Sequence, residues 1–258
     1  MGAELPPLII NIILIVVGLS LGSFATALAH RVPVRKSMSK TRSACPHCNH
    51  TLGAADLIPV ASWVMSAGKC RYCRKAISMS YPLMELGVLM ACLVTYWVKG
   101  WTPEAAFIIA AIPFLAALLV IDLRHMILPD GLLIIIALIG IARMIYKAVF
   151  LSDSPDMGML LTFCIEIAMF AAISWTIGFI MEKIMKKESL GMGDVKFFAV
   201  AGVWLGLSKL GWFCGLSGFF GILFAAVFRN FTKEGQFPFG PALIAALFLL
   251  VLTDGSLF

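Results

Sequence analysis

Two aspartates and four cysteines carry the chemistry that this chain can do. Asp194 stands in Gly191-Met192-Gly193-Asp194-Val195-Lys196, where a carboxylate follows two glycines at the edge of an apolar run, with a cation two residues on. An ionisable group at such an edge is costly to keep, so it marks a functional site. Asp122 stands in a second such place, Val120-Ile121-Asp122-Leu123-Arg124-His125, followed by Leu128-Pro129-Asp130. Two carboxylates that converge cannot both ionise readily, so one stays neutral as an acid while the other activates water. They titrate as a pair, and apparent pKa values belong to the pair. Lys196 is expected to favour the ionised form of Asp194. Gly191 and Gly193 are expected to let the backbone approach an extended substrate, because glycine tolerates conformations that other residues do not. Asp130 follows Pro129 at a helix start, where a carboxylate satisfies orphan N–H groups. Glu166 lies inside an apolar run and reads as a structural partner of Arg143 or Lys147.

Cys45-Pro46-His47-Cys48 and Cys70-Arg71-Tyr72-Cys73 are two CxxC pairs in one polar stretch. Each pair can supply two corners of a tetrahedral thiolate site for zinc. The competing readings are two disulfides, which do not persist in a cytoplasmic loop, and reduced cysteines with no ligand role. Four thiolates close the site without His47 or His50, so the metal is expected to fold the loop and not to catalyse. Cys92, Cys164 and Cys214 lie in apolar runs and read as small core residues.

These groups sit in a chain of 258 residues that is 61% hydrophobic and 13% charged, with a mean hydropathy of +0.98. Soluble domains carry about 25% charged residues. The fold class is therefore an all-α polytopic membrane protein, since backbone polar groups in lipid must be satisfied within helices. Apolar runs at about 7–29, 81–98, 103–121, 131–150, 159–181, 195–207, 212–228 and 238–252 predict about eight spans. The organisation expected is a first transmembrane helix over 1–29, a cysteine-bearing loop over 30–80 and a transmembrane domain over 81–258. Only Glu4 is charged ahead of the first run, and no small-residue cleavage site follows it. The first span is thus expected to be retained rather than cleaved as a signal peptide.

Charge sets the expected orientation. The long loop carries Arg31, Arg35, Lys36, Lys40, Arg42, Lys69, Arg71, Arg74 and Lys75 against Asp56. Placing it in the cytoplasm puts Arg124, Lys183, Lys186, Lys187, Lys196, Arg229 and Lys233 there too. Glu4, Glu104, Asp153, Asp156 and Asp254 fall on the far side, with Lys99, Arg143, Lys147 and Lys209. This is the asymmetry of the positive-inside rule, so the net charge of +6 reads as loop placement and not as nucleic-acid binding. An even number of spans separates Asp122 from Asp194, which predicts that both face the cytoplasm, with both termini outside.

Other chemistries fit less well. Gly215-Leu216-Ser217-Gly218 is similar to a rhomboid serine motif, but a serine nucleophile needs a base. All four histidines (His30, His47, His50 and His125) come early in the chain. Small residues for close helix packing explain that stretch. There is no H-E-x-x-H and no nucleotide-binding P-loop. A transporter would place ionisable groups near the bilayer midplane, whereas Asp122 and Asp194 are predicted at one face.

Taken together, the residues resemble the type IV prepilin peptidases, aspartyl proteases of the inner membrane with a Gly-x-Gly-Asp signature. The resemblance rests on residues 191–194 and on Ile121-Asp122 with Leu128-Pro129-Asp130. It extends to Gly22-Ser23-Phe24, Arg31-Val32-Pro33, Ser43-Ala44-Cys45-Pro46, Ile58-Pro59-Val60, Cys70 with Cys73, Tyr81-Pro82-Leu83-Met84-Glu85-Leu86 and Phe239-Gly240-Pro241. It implies that Asp122 and Asp194 are the catalytic pair, supported by Gly191, Gly193 and Lys196. The implied substrate is a prepilin or pseudopilin of a type IV pilus or type II secretion system, with a basic leader cut after a glycine. Bifunctional members then methylate the new N-terminus with S-adenosylmethionine, an activity tied to the N-terminal region, and others act as peptidase alone. Glu85 is implied as a contact for methyl transfer. The family shows Asn two residues after Gly-Ser-Phe, where this chain has Thr26. The implied partners are the pilin substrate and membrane lipid, and the implied location is the bacterial inner membrane.

Overall fold

In the computed structural model the described residues are 6–38, 42–150, 157–185, 191–228 and 237–253. Nine α-helices form there: α1 (Pro7–Arg31), α2 (Ala61–Met65), α3 (Ser80–Lys99), α4 (Pro103–His125), α5 (Asp130–Phe150), α6 (Met157–Met185), α7 (Met192–Leu205), α8 (Leu210–Phe228) and α9 (Gly240–Leu252). Among the described residues there is no strand, only the isolated bridges Ala44↔Thr51 and Lys69↔Ala76. The all-α expectation holds.

Each of the eight apolar runs becomes a helix, but they are not equal. Among the described residues five stretches are long and apolar enough to cross a membrane: α1, α3, α4, α5 and Leu207–Val227, which takes in all but the last residue of α8. α7 and α9 have 14 and 13 residues, short of the roughly 20 that a bilayer crossing needs. Eight full crossings are therefore not established, and counting them does not by itself bring Asp122 and Asp194 to one face. Lys40, Lys186, Lys187, Arg229 and Lys233, with Glu4, Asp153, Asp156 and Asp254, lie outside the described residues.

The chain forms two compact units, and α4 contributes to both. In the first unit α1 packs along α3. Glycine makes this close: a Cβ on Gly22 would lie 2.5 Å from the Glu85 Cα, and one on Gly18 would lie 2.9 Å from Leu89 Cδ1. His30 stacks on Tyr81 with ring centroids 5.0 Å apart. Gly100, at φ 67° and ψ −163°, ends α3 in an extended positive-φ conformation that is essentially restricted to glycine.

In the second unit α7 is the central helix. Its buried face (Phe197, Phe198, Val200, Ala201, Gly202, Trp204) meets α5, α6 and α9. Gly202 leaves room for Phe170, and the Phe198 ring sits edge-on to Phe213, 4.9 Å between centroids. α5 grips the far end of α7. Trp204 Nε1 donates to the Ile136 carbonyl at 3.1 Å, and the buried Arg143 donates to the Trp204 carbonyl at 3.0 Å with its guanidinium 5.5 Å from the Trp204 ring. Gly206, at φ 72°, ends α7, and Glu166 of α6 accepts the Leu207 N–H at 3.0 Å just beyond. Ser217 donates to the Cys214 carbonyl of its own helix at 3.1 Å and is buried, as a packing residue would be.

Candidate active site

Asp122 lies in the last turn of α4. That helix stops because Met126 adopts a left-handed φ of 52°, with its N–H still bonded to the Asp122 carbonyl at 2.9 Å. Leu128 turns inward and is buried. Pro129 then offers its carbonyl to Leu132 and Leu133, which starts α5 at Asp130. The spacing from Asp122 to Asp130 is thus a helix stop, an apolar peg and a helix start.

Asp194 lies in the first turn of α7, with Gly191 as the residue before the helix. The two glycines of its motif have internal reasons. A Cβ on Gly193 would come 3.1 Å from Leu128 Cβ, so the missing side chain lets α7 seat on the Leu128 peg. A Cβ on Gly191 would come 3.3 Å from Asp194 Oδ2. Gly191 has ordinary extended backbone (φ −65°, ψ 143°), so close approach and not a left-handed turn selects glycine there.

The two carboxylates are near enough for the Asp122 charge to act on Asp194. Asp122 is 5% exposed. Its Oδ2 accepts the Gly240 N–H at 2.8 Å, a partner from the start of α9 that sequence reasoning did not assign. The only signal for it is the Phe239-Gly240-Pro241 motif, in which Pro241 opens a helix. Lys196 is a correction. Its Nζ pairs with Asp130 (2.8 and 3.0 Å) at the surface instead of supporting Asp194. Residues two apart on a helix do not share a face, so a cation at 196 turns away from 194.

The four cysteines of the first unit gather into one cluster. Their sulfurs all lie within 4.8 Å of one another, with Cys45 and Cys73 3.9 Å apart, and none forms a disulfide. A tetrahedron with about 2.3 Å zinc–sulfur bonds has edges of about 3.8 Å, so the donor set suits that metal. Each pair is carried by the same tight turn. Asn49 N–H bonds to the Cys45 carbonyl at 3.0 Å, and Arg74 N–H to that of Cys70 at 2.9 Å. Asn49 and Arg74 both take φ near 60° (55° and 60°). Burial opposes it, but the N–H groups of His47 and Cys48 and the neighbouring thiols hold the Cys45 thiol down at about 6. Across the two turns the His50 and Tyr72 rings lie 3.6 Å apart. Asp56 accepts the Tyr72 hydroxyl at 3.0 Å and the Gly53 N–H at 3.1 Å, and pairs with Arg71 at 3.4 Å. The Gly53 N–H, then Tyr72 and Arg71, hold the Asp56 carboxyl below its ordinary range.

Glu85 is buried where α3 meets α1, accepting the Val60 N–H at 2.7 Å and bonding to Ser23. Val60 is unusual: φ 59°, ψ −51°, with Ala61 N–H bonded back to the Pro59 carbonyl. That is a strained γ-turn at a β-branched residue. Glu85 therefore ties the Ile58-Pro59-Val60 turn to the Gly22-Ser23-Phe24 stretch, bringing three sequence motifs together. Thr26, the departure from the family pattern, spends its hydroxyl on the Gly22 carbonyl at 2.9 Å.

Comparison with known proteins gives the family. Residues 16–99 match the bacterial peptidase A24 N-terminal domain, and residues 109–253 match the type IV leader peptidase family. A type 4 prepilin-like proteins leader peptide-processing enzyme of Escherichia coli O78:H11 (strain H10407 / ETEC) is 33% identical, covering 91% of this chain and 92% of that protein. A prepilin leader peptidase/N-methyltransferase of Aeromonas salmonicida (strain A449) is 29% identical, with 93% and 89% covered. One of Pseudomonas aeruginosa is 28% identical, with 95% and 91% covered. No solved structure matches the chain. Fold and comparisons together define a multi-pass membrane peptidase. The chain belongs to the type IV leader peptidase family.

Proposed function

We propose that this protein is an aspartyl endopeptidase that removes the leader from type IV prepilins or pseudopilins at the cytoplasmic face of the bacterial inner membrane. The observation that carries the reading is the convergence of Asp122 and Asp194. They come from helices far apart in sequence, yet the charge of one acts on the other. Both stand at helix ends of an apolar chain, where an unpaired carboxylate is costly. The relatives' names supply the substrate class.

The two carboxylates hold a water between them. The ionised member takes a proton from the water as its oxygen attacks the scissile carbonyl. The neutral member gives its proton to the developing oxyanion, leaving a neutral diol. As the diol collapses, the first carboxyl passes the water's proton to the departing amine and the second carboxylate recovers a proton from a diol hydroxyl, restoring the pair. Such general acid–base work needs hydrogen-bond reach and no covalent enzyme intermediate. Asp122→Asn and Asp194→Asn in purified protein test the assignment against a synthetic prepilin. Near wild-type release of the leader by either variant overturns it.

Zinc belongs to the loop in this reading. Cys45, Cys48, Cys70 and Cys73 would hold it as a closed four-thiolate site whose part is to fold the segment. The relatives' names also carry N-methylation, which uses S-adenosylmethionine. Glu85, the residue implied for it, is held within the first unit. Its carboxylate bonds to the Val60 N–H and to Ser23, and the Thr26 hydroxyl donates to the Gly22 carbonyl of its own helix. No methyl-transfer step is assigned to named residues. Incubating the cleaved pilin with labelled S-adenosylmethionine decides between a bifunctional enzyme and a peptidase alone.

A further inference from the structure

At the start of α9 the backbone is arranged so that one N–H points away from its own helix. Ala242 and Leu243 return their N–H groups to the Phe239 carbonyl at 3.0 and 3.3 Å. Pro241 has no N–H to offer. The Gly240 N–H is the remaining donor of this first turn, one of the orphans that every helix start must place. It goes to Asp122 Oδ2 at 2.8 Å.

The position accepts no side chain without moving the carboxylate. A Cβ on residue 240 would lie 2.6 Å from Asp122 Oδ2, 2.8 Å from its Cγ and 3.2 Å from its Cβ. The turn is held from its other side as well. A Cβ on Gly221 of α8 would lie 2.8 Å from Phe239 Cε2, so the missing side chain there makes the seat for the Phe239 ring. α8, through Gly221 and Phe239, therefore sets where the Gly240 N–H points.

We propose that Gly240 is a positioning residue for the peptidase: its N–H fixes the Asp122 carboxyl by Oδ2 and leaves Oδ1 to address the catalytic water. The proposal rests on the reading of Asp122 as catalytic. Its consequence is that the Phe239-Gly240 turn acts on the chemical step and not on substrate binding. A carboxylate held at one oxygen by a charge-assisted bond cannot rotate about its Cβ–Cγ bond without breaking it. Preorganisation of this kind acts on kcat.

The test uses the full-length protein in detergent with a synthetic prepilin, measuring kcat and KM, with gel filtration and thermal unfolding to establish folding. Gly240→Ala is expected to lose about 10- to 100-fold in kcat, the worth of a bond to a charged group, with KM unchanged within about twofold. Gly221→Ala, which touches neither aspartate, displaces the Phe239 ring and is expected to lower kcat in the same way. Adding Phe239→Leu to Gly221→Ala restores the lost space and is expected to recover kcat. If Gly240→Ala does not fold, the Gly221 and Phe239 variants decide the matter alone. A folded Gly240→Ala with kcat within twofold of wild type overturns the clamp, and so does a loss confined to KM. So does a Gly221→Ala defect that appears only as lower stability, or that Phe239→Leu leaves in place. Asp122→Asn separates the two levels. An inactive Asp122→Asn beside a fully active Gly240→Ala removes the clamp alone, whereas an active Asp122→Asn removes the dyad on which it rests.

Discussion

Gly140→Ala probes how the Asp194 helix is held. A Cβ at 140 would meet Trp204 Nε1 at 2.6 Å, Trp204 Cδ1 at 2.9 Å and Val203 Cγ1 at 2.9 Å. Comfortable heavy-atom contacts begin at about 3.5 Å, so α5 and α7 must part by about 0.6–0.9 Å or Trp204 must turn. Trp204 cannot turn freely, because its Nε1–H holds the Ile136 carbonyl at 3.1 Å and its carbonyl holds Arg143 at 3.0 Å. Overpacking of a filled site costs about 1–3 kcal/mol. Weakening the Trp204 hydrogen bond adds about 0.5–1.5 kcal/mol. The expected loss is about 1.5–4.5 kcal/mol, which at about 2–4 °C per kcal/mol lowers Tm by roughly 3–18 °C. Gly215→Ala in α8 is the control. Nothing lies within 4 Å of its added Cβ, so it is expected to be neutral or slightly stabilising from helix propensity. Thermal unfolding of both variants in one detergent gives the comparison. Equal shifts for the two, or an unshifted Gly140→Ala, refute the claim that close packing of α5 on α7 anchors the site.

Other perturbations sort the remaining roles. Chelation, or Cys45→Ser, is expected to open the loop to proteolysis between residues 42 and 79 while cleavage of prepilin continues at first. Immediate loss of cleavage in a folded protein points to a catalytic metal instead. Lys196→Gln removes an exposed pair with Asp130 and is expected to cost under about 1 kcal/mol, with kcat within about threefold. A loss as deep as that of Asp194→Asn returns Lys196 to the catalytic group. Glu85→Gln is expected to speed hydrogen exchange across residues 58–62 without changing kcat for leader cleavage, because it loosens the Val60 turn. Unchanged exchange there removes Glu85 as the tie.

Much of this architecture was legible in the amino-acid sequence because apolar runs and cysteine spacing are local signals. The helices begin and end within a few residues of the apolar runs, at Gly100, Pro103, Asp130 and Gly206, where the sequence itself breaks a helix. The two CxxC turns were legible for the same reason. Asp122 and Asp194 were found as costly charges, but their meeting depends on α5 and α7 packing through Gly140 and Trp204, which no local pattern announces. The Gly240 donor was hidden further, since a backbone N–H has no letter in a sequence. Lys196 misled because adjacency along the chain was taken for adjacency in space. Glu166 likewise serves a backbone N–H beyond α7, a partner that charge matching does not suggest. Length was the limit for α7 and α9, whose apolar composition matches that of a span while their helices have 14 and 13 residues, fewer than the roughly 20 of a crossing.

The central claim is that Asp122 and Asp194 act as one unit. Its most direct test is leader release from a synthetic prepilin by folded, purified Asp122→Asn, Asp194→Asn and the double variant. Groups that work as a unit are not additive. Each single variant is therefore predicted to abolish cleavage, with the double variant no worse than either. Substantial cleavage by either single variant, or a double variant slower than both by the product of their losses, contradicts the account.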